Sequence, residues 1–261
     1  EVIPQNFKKA HKILENVIKE NKSTYCYLKG KLFFKESKYD EATKMYQKSI
    51  ELCNQESFYE YGKHLFEGKG TPINKTEGLK YLKESAEKGS ARGMFRYGKL
   101  LIEGEDLSKD EVKGYSYIKE SSEKGYAKAL YYISKLIDEN KIECVEDKEK
   151  SMEYLKLSAY KGYTEAMYQY AYKLPNEPQY REENISFFKK AADKGHIDSI
   201  YQYSRFLNNN DEENQKKVAK FCRIAANEGN VNAINMYAVY LFKGLGVECD
   251  KEEANKYFLQ L

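Results

Sequence analysis

The amino-acid sequence predicts an all-α fold, a solenoid built from antiparallel helix pairs, and two observations support this prediction. A phrase of the type Ser-Ala-Glu-Lys-Gly recurs along the 261-residue chain, and its glycines follow one another at 36, 37, 33 and 34 residues. Small, apolar and aromatic residues also keep fixed offsets from these glycines. Such a period is typical of stacked units that bury their apolar faces against their neighbours. The repeating glycines are Gly89, Gly125, Gly162, Gly195 and Gly229.

Two sets of residues define the first part of the chain, namely Phe7, Ala10, Leu14 and Val17, and then Gly30, Phe33, Ala42, Tyr46 and Ser49. The first set shares one helical face, so residues 1–22 are predicted to form an N-terminal helix that belongs to a partial repeat. The spacing of the second set resembles that of a tetratricopeptide repeat, and residues 23–53 are predicted to form such a unit. Residues 54–261 then hold six further repeats, of which the last is truncated at Leu261. We therefore expect the chain to be a piece of a longer protein.

The first helix of each unit, helix A, is predicted to begin just after the glycine. A small residue stands four positions after the glycine, a large one eight after it, a small one nine after it and a large apolar one twelve after it. Offsets of 4, 8 and 12 lie on one helical face, which predicts the buried stripe. The small residues allow neighbouring helices to approach at the short end of roughly 8–10 Å. The residues at offsets 8 and 9 are Tyr97 and Gly98, Ile133 and Ser134, Tyr170 and Ala171, Tyr203 and Ser204, and Tyr237 and Ala238.

The second helix, helix B, is predicted to follow a polar loop and to end at the next glycine in a left-handed cap. Its start is marked by residues whose side chains can accept from free backbone amides, an interaction that contributes about 1 kcal/mol each. An aromatic residue recurs within the helix. The predicted caps are Asn74, Asp110, Asp147, Asn214 and Asp250, and the aromatic residues are Tyr81, Tyr117, Tyr154, Phe187, Phe221 and Tyr257.

One loop carries the most complete family motif, in Gly244, Gly246, Val247, Asp250 and Ala254. Together with the repeated columns, it makes residues 54–261 similar to the Sel1-like repeat (SLR), a relative of the tetratricopeptide repeat. The resemblance implies a right-handed superhelix of antiparallel helix pairs with helix A on the concave side. It also implies an adaptor that binds other proteins. A branch of this family with a disulfide in each repeat is excluded, because the five cysteines do not recur in register.

Composition excludes several classes of protein. The chain carries 44 basic and 41 acidic residues that are mixed throughout, so the basic patch of a nucleic-acid-binding protein is missing. No apolar run reaches the roughly 18 residues that a membrane span requires. An odd number of cysteines without regular spacing favours a reduced, intracellular and cytoplasmic chain. Glycosylation sequons at Asn21, Asn74 and Asn184 leave the lumen of the endoplasmic reticulum open as an alternative.

Catalysis is not expected. Three segments, which begin at Ser85, Ser121 and Ser158, match the S-x-x-K motif of penicillin-recognising serine enzymes. Two other repeats carry alanine in this column, so the column requires only a small side chain. The histidines His11, His64 and His196 lie in different units, and none has a matching carboxylate or cysteine by spacing. We therefore predict no enzymatic activity, no metal site and no cofactor.

A different set of residues is predicted to bind a protein or peptide partner. Aromatic side chains recur six residues after the glycine, at the border of the polar face of helix A, and mostly cationic ones recur ten after it. Tyrosine and arginine are favoured anchors at interfaces, and acidic partner groups would pair with the cations. The alternative is that the aromatic column only packs against the neighbouring unit. The predicted residues are Tyr59, Lys63, Phe95, Lys99, Tyr131, Lys135, Tyr168, Tyr172, Tyr201 and Arg205.

Three functions are compatible with the sequence. The first is a non-enzymatic scaffold or adaptor that binds a partner protein on the concave helix-A surface. The second is the regulatory interaction region of a larger enzyme, such as a protein kinase. The third is a structural subunit of a large assembly.

Overall fold

A computed structural model of the chain describes residues 4–17, 21–141, 150–207 and 212–260. Over these residues the chain forms fifteen α-helices and no β-strand, which confirms the predicted all-α class. The chain divides into two compact units, Glu1–Glu146 and Asp147–Leu261, which are described in turn. Even-numbered helices from α2 onward are helices A, and odd-numbered helices from α3 onward are helices B.

Unit 1 is a series of helices that pack in chain order. Each of the helices α1 to α7 contacts the helix that follows it, and α4 also contacts α6 directly. Sequential packing of this kind is what a repeat array predicts, because each pair shields the apolar face of its neighbour. The helices of unit 1 are α1 Pro4–Val17, α2 Lys22–Lys35, α3 Tyr39–Glu51, α4 Gln55–Glu67, α5 Lys75–Glu87, α6 Ala91–Glu103, α7 Glu111–Glu123 and α8 Ala127–Asp138.

Unit 2 has the same organisation, with each helix from α9 to α15 in contact with the next. The predicted buried stripe of helix A is observed in both units, although Tyr203 on α12 and Leu207, which directly follows that helix, are only half-buried. The division of the chain into a partial repeat, a tetratricopeptide-like unit and six repeats stays a prediction. The helices of unit 2 are α9 Lys150–Tyr160, α10 Thr164–Lys173, α11 Arg181–Asp193, α12 Ile197–Phe206, α13 Glu212–Asn227, α14 Val231–Lys243 and α15 Lys251–Phe258.

Gly98, which was predicted to allow close helix packing, does so between α6 and α7, where it faces Gly114. A Cβ atom on Gly98 would lie 2.6 Å from the carbonyl oxygen of Gly114 and 2.9 Å from Ile118 Cγ1. Conversely, a Cβ atom on Gly114 would lie 2.7 Å from the carbonyl oxygen of Gly98. Interiors are close-packed, so neither position accommodates a side chain without movement of the backbone. Helices A and B of this repeat therefore meet backbone to backbone.

Aromatic pairs also pack between helices A and B. The ring of Tyr97 on α6 meets Tyr117 on α7 at a centroid distance of 5.5 Å and an interplanar angle of 76°. Equivalent edge-to-face pairs recur in other repeats, a geometry that contributes about 0.5–1.5 kcal/mol beyond the buried area. The recurring pairs are Tyr61–Tyr81 at 4.8 Å, Tyr170–Phe187 at 5.2 Å and Tyr237–Tyr257 at 5.1 Å.

The glycine that ends each helix B adopts the predicted left-handed conformation. At Gly89, φ is +91°, its amide donates to the carbonyl oxygen of Ala86 at 3.0 Å, and the Ser90 amide donates to that of Ser85 at 3.0 Å. This pair of bonds is a Schellman motif, and it recurs at Gly125, Gly162, Gly195 and Gly229. Cys53, which replaces the glycine in an earlier repeat, keeps the same conformation with a φ of +60°. A residue with a Cβ atom is strained there.

The predicted caps of helix B are confirmed at Asn74, Asp110 and Asp250, whose side chains accept from backbone amides three residues later. The prediction for Asn214 is wrong, because α13 begins at Glu212 and Asn214 lies inside the helix. The preceding connection is short, so the helix starts earlier. Its first turn is instead stabilised by pairs four residues apart, Glu212 with Lys216 at 2.6 Å among them. Asp147 lies outside the described residues.

Candidate partner-binding surface

The predicted aromatic column lies on consecutive helices A, and each of its five rings is half-buried. In unit 1 the Tyr59 ring lies under the guanidinium of Arg92 from the next repeat, with Arg92 Cζ 4.3 Å from the ring centroid. Phe95 contacts Tyr126 at a centroid distance of 5.5 Å. In unit 2 the ring of Tyr168 stacks on His196 of the next repeat at 4.7 Å. These rings therefore pack against the following repeat and keep part of their surface exposed. The members of the column are Tyr59, Phe95, Tyr131, Tyr168 and Tyr201.

The predicted cationic column is largely neutralised within unit 1. The Lys99 ammonium pairs with Glu103 at 3.2 Å, and that of Lys135 pairs with Glu139 at 3.7 Å, each four residues further along the same helix. Lys63 has no carboxylate within ion-pair distance among the described residues. These pairs reduce the attraction that the lysines offer to an acidic partner.

In unit 2 the corresponding positions differ. Tyr172 is 64% exposed, which makes it the most accessible aromatic residue of the predicted set. Its ring lies 5.9 Å from that of Tyr168. Arg205 is exposed, and one of its guanidinium nitrogens donates to Gln202 Oε1 at 3.1 Å. Among the described residues Arg205 has no carboxylate within ion-pair distance.

A second column, which the sequence analysis missed, joins consecutive helices A. In three repeats the residue just after the repeating glycine bonds to an acidic residue near the start of the preceding helix A. The Ser90 hydroxyl donates to Glu56 Oε1 at 2.6 Å, and Asn230 Nδ2 donates to Asp198 Oδ1 at 2.6 Å. His196 Nε2 lies 3.2 Å from Glu165 Oε2 in the same arrangement. The sequence signal for this contact was an acidic residue three positions after the glycine of one repeat, or after Cys53 in its place, combined with a polar residue directly after the glycine of the next repeat.

Arg92 contacts residues of two preceding helices A in unit 1. Its Nη2 donates to Glu60 Oε1 at 2.6 Å, and its Nη1 lies 3.4 Å from Glu56 Oε2 and 3.2 Å from the Tyr27 hydroxyl. With the Tyr59 ring below it, the guanidinium joins helices α2, α4 and α6. Glu60 is only 7% exposed, so its charge depends on this partner.

Burial governs the ionisation of this cluster. It raises the pKa of Tyr27 to about 12, although the Arg92 guanidinium opposes the shift. Burial also raises the pKa of Tyr59. Burial acts to lower the pKa of Arg92, but the Glu60 carboxylate outweighs this effect and raises that pKa above its ordinary value. At neutral pH the phenols are therefore neutral and the arginine is charged.

A family model, that of the Sel1 repeat, matches six segments of the chain, which together make up more than half of it. The chain belongs to the Sel1 repeat family. The matched segments are residues 23–52, 57–90, 91–126, 143–163, 185–196 and 231–261, and the first of them covers the unit predicted to be tetratricopeptide-like. No curated protein sequence matches the chain. The Sel1 repeat fold is generally non-catalytic and commonly serves protein–protein interaction.

Solved structures of Sel1 repeat proteins share this fold. A Sel1 repeat protein from Oxalobacter formigenes has 21% sequence identity and a TM-score of 0.70, over 89% of this chain and 97% of that one. A protective antigen of uropathogenic Escherichia coli with an SLR fold has 20% identity and a TM-score of 0.65. This alignment covers 99% of this chain but 61% of the antigen chain, so this chain spans about three-fifths of that length. An immunity protein from Pseudomonas aeruginosa has 14% identity and a TM-score of 0.52, over 76% of this chain and 83% of that one.

The serines of the S-x-x-K segments serve the Sel1 repeat hairpin. The Ser85 hydroxyl donates to the carbonyl oxygen of Gln55 at 3.1 Å, and the Ser121 hydroxyl donates to that of Ala91 at 2.6 Å. Each bond ties the end of helix B to the start of helix A in the same repeat. Ser49 makes the equivalent bond to the carbonyl oxygen of Ser23 at 2.7 Å. These fully buried hydroxyls have a structural role.

The three histidines occupy separate sites. Two of them meet carboxylates that their sequence spacing did not reveal, since His11 Nε2 lies 2.7 Å from Glu36 Oε1 and His196 pairs with Glu165. His64 is buried beside aromatic rings. The described part of the chain contains no group of three His, Cys, Asp or Glu side chains that could hold a metal ion. Nor does any helix in that part have the length and apolar character needed to cross a membrane.

Proposed function

We propose that this Sel1 repeat chain is a non-enzymatic scaffold that binds a partner protein, or an extended segment of one, on its helix-A surface. We define this surface by the aromatic column together with Lys63, Lys99, Lys135, Tyr172 and Arg205. The observation that supports the proposal is the way the aromatic rings are held. Each is half-exposed, and Tyr59, Phe95 and Tyr168 are fixed by contacts from the next repeat.

Fixed rings are suited to binding because few degrees of freedom are lost when a partner arrives. Immobilising a mobile side chain on binding costs about 0.5–1.5 kcal/mol. Contacts between repeats already restrict these rings in the free protein, so little of this cost arises on binding. Truncating tryptophan, tyrosine or arginine is also the change that most often weakens an interface strongly, with a loss of about 2 kcal/mol or more in binding free energy. Each unit therefore offers more than one such anchor, with Tyr59, Phe95 and Tyr131 in unit 1 and Tyr168 and Tyr201 in unit 2.

Loss of aromatic anchors should abolish partner capture without unfolding the chain. The immobilised chain and its Tyr131→Ala, Tyr168→Ala double variant are used to capture proteins from a lysate of the source cells. A matched control carries Val112→Ala and Leu157→Ala, which truncate side chains that are 70% and 51% exposed on helices B. We expect the partners to be retained by the control and lost by the aromatic variant, because each anchor contributes about tenfold or more to affinity.

Circular dichroism establishes that both variants are folded before capture is compared. A folded aromatic variant that retains every partner of the parent chain would show that the helix-A surface is not the binding site.

A further inference from the structure

A cleft opens in unit 2 between helices α10, α11 and α12. It consists of two adjoining hollows of about 330 and 380 Å³, both lined by Asn176, Asn184 and Phe206. The connection between α10 and α11 that borders it is short and contains a single 3₁₀ turn, Pro178–Tyr180. The glycine-rich loop found at Gly244 and Gly246 has no counterpart there.

Aromatic rings form the apolar part of the cleft. Phe188 and Phe206 stack with their centroids 6.0 Å apart and an interplanar angle of 24°. Tyr172 lines the cleft and is exposed at its rim. Asn184 Nδ2 donates to the carbonyl oxygen of Ala171 at 3.0 Å and so ties α11 to α10. The cleft is therefore a fixed hollow with an apolar wall, large enough for one or two side chains of a ligand.

Two arginines from different helices line the same cleft, Arg181 at the start of α11 and Arg205 near the end of α12. Among the described residues neither has a carboxylate within ion-pair distance, in contrast to Arg92, Lys99 and Lys135. The one carboxylate that lines the cleft, Glu177, accepts from Gln179 Nε2 at 2.9 Å. The cleft therefore combines aromatic surface with two guanidinium groups that form no ion pair among the described residues. Guanidinium groups bind carboxylates through paired hydrogen bonds.

We propose that this cleft is a specificity pocket for an acidic peptide segment of the partner, and that it takes a carboxylate side chain next to an apolar one. Charge complementarity selects this occupant, since the carboxylate would meet Arg181 and Arg205 while the apolar side chain packs on Phe206. The inference rests on the proposed function and deepens it. Tyr172 and Arg205 belong to the helix-A surface as defined, and the pocket extends that surface between α11 and α12.

The test uses the full chain and three fluorescein-labelled heptapeptides that differ at the two positions flanking a central phenylalanine. The flanking residues are glutamate in the first peptide, glutamine in the second and lysine in the third. We expect the glutamate peptide to bind about tenfold more tightly than the glutamine peptide, and the lysine peptide to bind most weakly. We also expect salt to weaken the binding of the glutamate peptide.

Variants locate the binding. Arg181→Gln and Arg205→Gln should each abolish the preference for glutamate. Lys190→Gln, which removes the same charge from an exposed position on α11 outside the cleft, should leave it unchanged. The inference would be overturned if the three peptides bound equally, or if both arginine variants kept the preference for glutamate. It would also be overturned if millimolar inorganic phosphate displaced the peptide fully and replacing the phenylalanine had no effect on binding.

Failure of this inference is distinguishable from failure of the proposed function. If the arginine variants still capture the partners and the Tyr131→Ala, Tyr168→Ala variant does not, the helix-A surface binds without the pocket. If the glutamate preference depends on the arginines and the aromatic variant still captures every partner, the pocket stands and the proposed surface does not.

Discussion

Replacing Arg92 by alanine should lower the free energy of unfolding by about 3 kcal/mol, because the carboxylate of Glu60 would stay buried without a partner. Removing one member of a buried ion pair generally costs about 3–5 kcal/mol. We expect the lower end of this range, since the Arg92 side chain is 29% exposed and water screens part of the interaction. The variant also loses the contact between the guanidinium and the Tyr59 ring. Chemical denaturation followed by circular dichroism gives the value.

Two further variants separate charge from packing. Arg96→Ala removes another guanidinium from α6. The Arg96 guanidinium lies 5.5 Å from the centroid of the Phe66 ring and has no ion-pair partner among the described residues. Its removal should therefore lower the free energy of unfolding by less than about 1 kcal/mol. Adding Glu60→Gln to Arg92→Ala should recover part of the lost stability, because the buried position 60 then carries no unpaired charge. Equal effects of Arg92→Ala and Arg96→Ala would show that the buried pair does not join the repeats.

Acidification should selectively destabilise the protein through His64. The side chain is 1% exposed, and its ring lies 4.6 Å from that of Phe34 and 5.2 Å from that of Tyr46. Among the described residues no group bonds to its buried Nδ1 atom. Burial, followed by the positive charge of Lys63, lowers the pKa of His64 to about 4.

The direction of this pH dependence follows from the number of protons that the folded and unfolded states bind. In the unfolded chain the pKa of histidine is about 6.5, so between about pH 6.5 and 4 the unfolded state binds more protons than the folded state. The neutral histidine therefore contributes fully to stability above about pH 6.5, and this contribution is lost as the pH falls towards 4. At about 1.4 kcal/mol per pKa unit, the loss amounts to about 3 kcal/mol.

The comparison is with His64→Phe, which keeps an aromatic ring and cannot titrate. Unfolding free energies from urea titrations at pH 7.0, 5.5 and 4.0 should show the parent chain falling relative to the variant by about 3 kcal/mol. Carboxyl groups whose pKa is lowered, such as Glu36 and Glu139, also contribute less to the stability of the protein in acid. This effect is the same in the parent chain and in the variant, so it cancels in the comparison. Parallel pH profiles for the two proteins would contradict a buried neutral histidine.

The period of the sequence was sufficient to predict the helices, because one repeat constrains the next. The helix A that follows Gly89 was predicted from Ala91 and observed as Ala91–Glu103, and the caps at Asn74 and Asp110 followed from their register. The prediction failed at Asn214, where a shortened connection moves the start of the helix. Register arguments hold only where loop length is constant.

The contacts between repeats were harder to predict, since they depend on how one hairpin rests on the next. Arg92 contacts Tyr27, which lies 65 residues earlier, and no spacing rule reports such a pair. The pairing of Lys99 with Glu103 was accessible, because residues four apart on a helix are neighbours. The cleft beside Arg205 could not be predicted, because it is formed by side chains from three helices and by a short connection that lacks the glycine-rich loop.

The claim that the helix-A surface binds the partner is tested most directly by site-specific photocrosslinking in the assembled complex. A photoreactive amino acid is placed at Lys135 or Tyr172, which are exposed on helices A, and in separate chains at Val112 or Leu157, which are exposed on helices B. We predict that the partner is crosslinked from Lys135 and Tyr172 and not from the two helix-B positions. Crosslinks from Val112 or Leu157 alone would contradict the account.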